Sequence, residues 1–227
     1  MASEVDIANL ALAHLGDNAT IASLYPPEGS AQAEHCARFY PIARDTLLEM
    51  HTWGFATTRM ALMLLDITVP EWDYVYQGPN DALNYIAVLP PDANDDYSTR
   101  FSPADTFGYT ANNVPLSYAG SYVPQNYSIE ASSVDGSPIV LTDQENAVLR
   151  YTKLVSDTTQ FSPLFTTTLS WHLASMIAGP IMKGDVGAAE AKRCAAMAAQ
   201  YLSEAKRSDS NQRQIKPNHI VPWVNGR

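Results

Sequence analysis

The sequence predicts a mainly α protein: an antiparallel helix bundle with an inserted small β region and an extended C-terminal arm. Three observations carry this expectation. Apolar residues recur at steps of three and four in 1–59 and again in 142–207, which is the period of a helix face. Between these stretches, over 60–141, the helical period vanishes and Pro, Tyr, Asn, Asp and Ser dominate. From Ser208 the pattern stops again, and Pro217 and Pro222 exclude a regular helix in 208–227. The expected domains are therefore 1–59 and 142–207 for the two parts of the bundle, 60–141 for the insertion and 208–227 for the arm.

The chain opens on Ser3-Glu4-Val5-Asp6, a capping box in which the Asp6 carboxylate reaches back to the first free amides. Val5, Ala8, Leu12 and Leu15 follow at helical spacing, and Gly16 is a natural stop. Ile21–Ser30 is a loop broken by Pro26-Pro27, and Ser30 is placed to cap the next helix. That helix, from Ala33 towards Arg59, is the centre of the expected bundle. Cys36, Tyr40, Ala43, Leu47 and Met50 share one face, and Pro41 implies a kink near 39–41 or two helices meeting there. Trp53-Gly54-Phe55 reads as a tight exit with both rings packed back. Cys36, Tyr40, Leu47, Met50, Trp53 and Phe55 are the expected core of this segment.

In the insertion, Met60–Leu65 suits a short strand or a turn. Leu83–Leu89 reads as a strand closed by Pro90-Pro91, Tyr127–Ser132 alternates, and Ile139–Leu141 is short and β-branched. Tyr74, Tyr76, Tyr85, Tyr97, Tyr109, Tyr118, Tyr122 and Tyr127 crowd this region. Tyrosine joins apolar area to a polar tip, which suits either an interface or the cover of a thin β layer. Thr142-Asp143-Gln144-Glu145 then reads as a second capping box, with Ala147, Tyr151, Leu154 and Val155 as a helix face. Ser162-Pro163 starts another helix, striped by Phe165, Leu169, Leu173, Met176 and Ile177. Gly179-Pro180 predicts a kink in it and Gly184 its end. Asp185 is the expected cap of a final helix carrying Ala191, Cys194, Ala198, Tyr201 and Ala205. Its many alanines allow close approach to a neighbour in the same chain or in another subunit.

At 227 residues and 46% hydrophobic content, the chain has enough material for one domain, or one with an insertion. A net charge of −10 argues against general binding to duplex DNA, which needs a basic surface. The charge is uneven: the balance is −14 up to Met182 and +4 from Lys183 onward, so an acidic body carries a mildly basic end. Cys36 and Cys194 give no disulfide framework and no four-thiolate zinc site, and are expected as reduced core residues. The N-terminus lacks the basic flank and apolar run of a signal peptide. Leu164–Met182 is the most apolar stretch, but its threonines, serines and His172 mark a core helix and not a membrane span.

Chemistry is sparse. Phosphate-binding glycine loops, H-E-x-x-H and G-x-S-x-G are all missing from the sequence. His35 and Cys36 are neighbours on a helix, so their side chains diverge by about 100° and make no nucleophile–base pair. His14, His51, His172 and His219 are scattered, and His172 is expected as a satisfied core histidine. Asp92, Asp95 and Asp96 lack the glycine and distal glutamate of a calcium loop, so a solvated loop is expected. No cofactor and no metal is expected. The arm is different in kind. Ile215, Lys216, Pro217, His219, Ile220, Val221, Pro222, Trp223 and Val224 form an extended peptide with apolar anchors, suited to a groove or sheet edge on another chain, with folding back on its own domain as the alternative.

Three blocks carry a family resemblance. The first is Asn9-Leu10-Ala11-Leu12-Ala13-His14-Leu15-Gly16 with Ile21 and Ser23-Leu24. The second is Ala33, Cys36, Tyr40, Ala43-Arg44-Asp45, Leu47-Leu48, His51, Trp53-Gly54-Phe55-Ala56 and Arg59. The third is Leu149-Arg150-Tyr151, Phe161-Ser162-Pro163-Leu164-Phe165, Leu173-Ala174 and Ile177-Ala178. In order and spacing the chain resembles the head-to-tail adaptor (connector) family of short-tailed bacteriophages, which includes tail tubular protein A. The resemblance implies a structural virion protein of the tail and neck, assembled in the host cytoplasm, without enzymatic activity. Its copies would form a homo-oligomeric, dodecameric ring beneath the portal protein. The ring would extend the DNA channel, pass DNA without sequence-specific binding and support the tail nozzle protein, while the arm docks on the portal. No membrane contact is implied. Two other classes stand beside it: a virion-associated cell-wall hydrolase using a carboxylate pair, and a nucleic-acid-binding module using Lys192–Arg193 and Lys206–Arg207.

Overall fold

A computed structural model of the chain describes residues 2–91, 125–133 and 135–212. The arm residues Ile215 to Val224, the cluster Asp92, Asp95 and Asp96, and Tyr97, Tyr109, Tyr118 and Tyr122 lie outside the described residues. The fold corrects the expectation of a mainly α protein. Among the described residues it is mixed α and β, 46% helical and 22% strand, with two antiparallel sheets of three and four strands. The chain divides into a helical unit, residues up to Thr57 with Thr152–Gln212, and a β unit whose described part lies within Thr58–Tyr151.

The helical unit holds α1 (Glu4–His14), α2 (Ala31–Glu49), α3 (Pro163–Met182) and α4 (Gly184–Asn211). Ser3 caps α1 by the expected reciprocal bonds with Asp6. Ser30 Oγ accepts from the Ala33 N–H at 3.2 Å and starts α2. Pro41 neither breaks α2 nor divides it into two helices. Proline cannot donate to the carbonyl four residues back. The Tyr25 hydroxyl donates to that carbonyl, Ala37 O, at 3.0 Å, so the orphaned acceptor is satisfied. The helix stops at Glu49, well short of Arg59, because Met50 is its C-cap.

Ser162 caps α3 with Pro163 at its first position, as expected. The helix runs through Gly179-Pro180 to Met182. The expected Asp185 cap of α4 is corrected. Lys183 holds the N-cap at φ 55° and ψ 160° with no side-chain cap bond, and Asp185 lies inside the first turn. There its charge faces the positive end of the helix dipole. Gly187 lets α4 approach α3 closely, since a Cβ there would stand 3.1 Å from the Ala178 carbonyl oxygen. The expected stop at Ser208 is also corrected, because α4 continues to Asn211.

The β unit holds β1 (Thr57–Ala61), β2 (Met63–Leu64), β3 (Tyr74–Gln77), β4 (Ala82–Leu89), β5 (Tyr127–Ala131), β6 (Pro138–Thr142) and β7 (Val148–Lys153). The three-stranded sheet has the order β1-β7-β4 and the four-stranded sheet β2-β3-β6-β5. β6 pairs with β3 from Tyr74↔Thr142 to Gln77↔Ile139, and with β5 from Tyr127↔Thr142 to Ala131↔Pro138. Successive residues point to opposite faces of a strand. Val75, Ile139 and Leu141 therefore pack with Leu65, Val69 and Trp72, while Tyr76 and Val140 pack with Val88, Ala147, Leu149 and Tyr151. Both faces of β6 are covered, which fits the unbroken apolar run Ile139-Val140-Leu141 in place of an alternating pattern.

The helix expected from Thr142 does not exist. The Thr142 hydroxyl donates to Asn126 O at 2.8 Å and accepts from the Gln144 N–H at 3.3 Å. The apparent capping box is thus a turn leaving β6. Asn146, at φ 51°, completes the turn and β7 follows. Leu154, assigned to the apolar face of that helix, is 38% exposed.

Candidate functional site

The best-built polar site among the described residues ties the end of α4 to the loop after α2. Leu47 O accepts the Trp53 indole N–H at 2.8 Å, which turns the ring inward. Trp53 then meets Phe165 edge-on at 5.0 Å, and Phe55 meets Phe165 at 5.2 Å and Phe161 at 5.8 Å. This clamp presents the Gly54 N–H outward. Asp209 on α4 accepts it through Oδ1 at 2.9 Å, and its Oδ2 lies 3.2 Å from His51 Nε2. His51 in turn stands edge-on to Trp53 at 4.8 Å. A Cβ on Gly54 would come within 3.1 Å of Asp209 Oδ1, so glycine is what lets the carboxylate reach the backbone. The last described residue, Gln212, follows directly, and the arm continues from this anchorage.

Sequence reasoning missed Asp209, because it falls beyond Ser208, where the helical pattern stops. A signal was available. Cys194, Ala198 and Ala205 are buried along α4, and one further step of four from Ala205 reaches Asp209.

The expected core of the central segment divides. Cys36, Tyr40, Leu47 and Trp53 are buried, and Phe55 is half-buried within the aromatic clamp. Met50 is a correction: it is 46% exposed, because α2 ends at Glu49 and the chain turns away before the next helical position on that face. The expected burial of Cys194 is found. Burial pushes the Cys36 thiol up to about 12 and moves Cys194 in the same direction, so both resist becoming thiolates. The Tyr40 hydroxyl is buried without a partner among the described residues, and desolvation raises its pKa.

The described histidines do not converge. His14 Nε2 lies 3.0 Å from Ser170 Oγ, but Ser170 is buried and donates to Thr167 O at 2.8 Å, which removes it as a nucleophile. His14 stacks on Trp171 at 3.6 Å, and the Arg193 guanidinium lies over the Trp171 ring while donating to His14 O at 2.8 Å. Arg193 also pairs with Glu190. It therefore caps the C-terminal end of α1. The expectation that His172 is a satisfied core residue is corrected, since its Nε2 is buried with no partner among the described residues. Desolvation holds its pKa below the ordinary value. Hydrogen bonds hold the Asp6, Asp135 and Asp157 carboxyls below the ordinary carboxylate value, the opposite of what a general acid needs. No group of three or more His, Cys, Asp or Glu among the described residues is arranged to hold a metal. A recess of about 220 Å³ lined by Ala2, Thr158, Phe161, Pro163 and Thr166 brings no titratable side chain. No helix among the described residues is long and apolar enough to cross a membrane.

No protein-family model matches the chain, and no curated protein sequence matches it.

Proposed function

We propose that the chain is a head-to-tail adaptor of a short-tailed bacteriophage. It is a non-enzymatic virion protein whose copies form a dodecameric ring beneath the portal, extend the DNA channel and give the tail nozzle its platform. The arm Ile215–Val224 docks on the portal. The observation that supports this most directly is the mounting of that arm. A basic, apolar peptide continues from a long helix whose end Asp209 holds to Gly54, so a docking segment is carried on a fixed base. The acidic body fits a channel wall, because negative charge repels phosphates and lets DNA slide without sticking.

The residues behind the resemblance also behave as frame residues. Asn9 exchanges two bonds with the Ile21 backbone, at 2.7 and 3.0 Å, and Trp53-Gly54-Phe55 forms the aromatic clamp. Arg193, needed by a nucleic-acid-binding module, is engaged by Glu190, His14 O and Trp171. The test is electron microscopy of the purified protein, alone and mixed with the portal of the same phage. The expected result is a ring added to one end of the portal. A folded, monodisperse protein that never associates with the portal, together with clearing on a peptidoglycan zymogram, would instead identify a hydrolase.

A further inference from the structure

Among the described residues, every large apolar side chain exposed on the β unit lies between Met60 and Ile67. Met63 is 67% exposed and Leu64 58%, with Met60 and Ile67 also open. Among the described strands, β1 is outermost in the three-stranded sheet and β2 outermost in the four-stranded sheet, so one continuous segment edges both. Edge strands are normally blunted by lysine, proline or an inward charge. From Met60 to Leu65 the sequence is Met-Ala-Leu-Met-Leu-Leu, with none of these. An edge of this kind accepts an extended peptide, through backbone bonds along the strand and apolar contacts beside it.

Position, charge and composition choose the occupant. Asp209 holds the end of α4 to the Gly54 N–H, and Gly54 lies just before β1. Gly54 lies six chain steps from Met60, and Asp209 six from Ile215; each such stretch reaches at most about 21 Å. These chain lengths therefore allow Ile215 to reach Met60. Asp66, Glu71, Asp73 and Asp81 are exposed, and no Lys or Arg occurs between Met60 and Asp81. Residues 213–227 carry Arg213, Lys216 and Arg227 and no acidic side chain. Ile215, Ile220, Val221, Trp223 and Val224 supply β-branched and aromatic contacts, and Pro222 is tolerated in an added outer strand.

We propose that the apolar edge Met60–Ile67 is the resting seat of the chain's own C-terminal segment, Ile215–Val224. In the free protein the segment lies along the edge as an added strand, and it leaves when the arm engages the portal. The departure rests on the adaptor role, whereas the seat itself does not. Seating hides the edge before assembly and limits edge-to-edge association of free chains.

The test uses the full chain with Met63→Cys combined in turn with Ile220→Cys, Val221→Cys, Trp223→Cys and Val224→Cys, oxidised under dilute conditions. The native Cys36 and Cys194 are both buried. Met63 is exposed, and circular dichroism checks that each variant stays folded. At least one pair should close an intramolecular disulfide, while Met63→Cys alone closes none. Closure only between two chains would give the edge to a second copy's arm and overturn the proposal, as would no closure in any pair. In parallel, Trp223→Ala should speed amide exchange over 60–65 by about tenfold or more, and an unchanged rate would also overturn it. Closure in a protein that never joins the portal would keep the seat and remove the adaptor role. A ring on the portal without closure would do the reverse.

Discussion

Asp209 shows what one residue contributes. It is 8% exposed, and its two oxygens serve the Gly54 N–H and His51. Asp209→Ala deletes both interactions, and a hydrogen bond to a charged group contributes about 1.5–3 kcal/mol. Asp209→Asn keeps an oxygen for Gly54 and should lose clearly less; urea denaturation of both variants measures this. Equal losses would mean that the Gly54 bond contributes little. His172 gives a pH-dependent case. Burial lowers its pKa from the ordinary 6.5, and His14 is lowered first by burial and then by Arg193. The unfolded chain then takes up protons that the folded chain refuses. Stability is full above about pH 6.5 and is lost as pH falls through the lowered folded values. The urea midpoint should therefore drop between about pH 7.5 and pH 5.5, and His172→Phe, which takes no proton, should flatten part of that slope. A slope unchanged in His172→Phe would assign the effect to His14 and other groups.

At the scale of elements, the joint between α3 and α4 carries strain. Lys183 adopts φ 55° with ψ 160°, a region that is close to glycine-only. Lys183→Gly should raise stability by roughly 1 kcal/mol, read as a higher thermal midpoint. A lower midpoint would show that glycine's extra freedom in the unfolded chain outweighs the relief. The helix starts at Ser3, Ser30 and Ser162 were legible because a cap is a local event between one side chain and an N–H three residues on. Thr142 carries the same kind of signal and misled, because strands from elsewhere claim its neighbourhood. β3 and β5 pair with β6, and the Thr142 hydroxyl is spent on Asn126 O. β3 spans only Tyr74–Gln77 and was overlooked, since so short a run carries little periodic signal.

At the scale of the whole molecule, the chain lacking Gln212–Arg227 should fold and fail to bind the portal, with near-ultraviolet circular dichroism reporting the fold and co-sedimentation the binding. Normal binding would refute the docking role of the arm. Of the candidate site, the sequence exposed the aromatic clamp through Trp53-Gly54-Phe55, but not the partner that completes it. By itself, the sequence determined the starts of α1, α2 and α3, the buried faces of α2 and α3, the strand before Pro90 and the separation of an acidic body from a basic end. These follow from residues within a turn or two of one another, or from composition alone. Only the tertiary structure decided that the fold is mixed. The ladder partners of a short apolar run stand far along the chain, as Leu141 does from Val75. It also decided that Asp209 belongs to the site, because the amide that its carboxylate holds lies at Gly54, and only folding brings the two together.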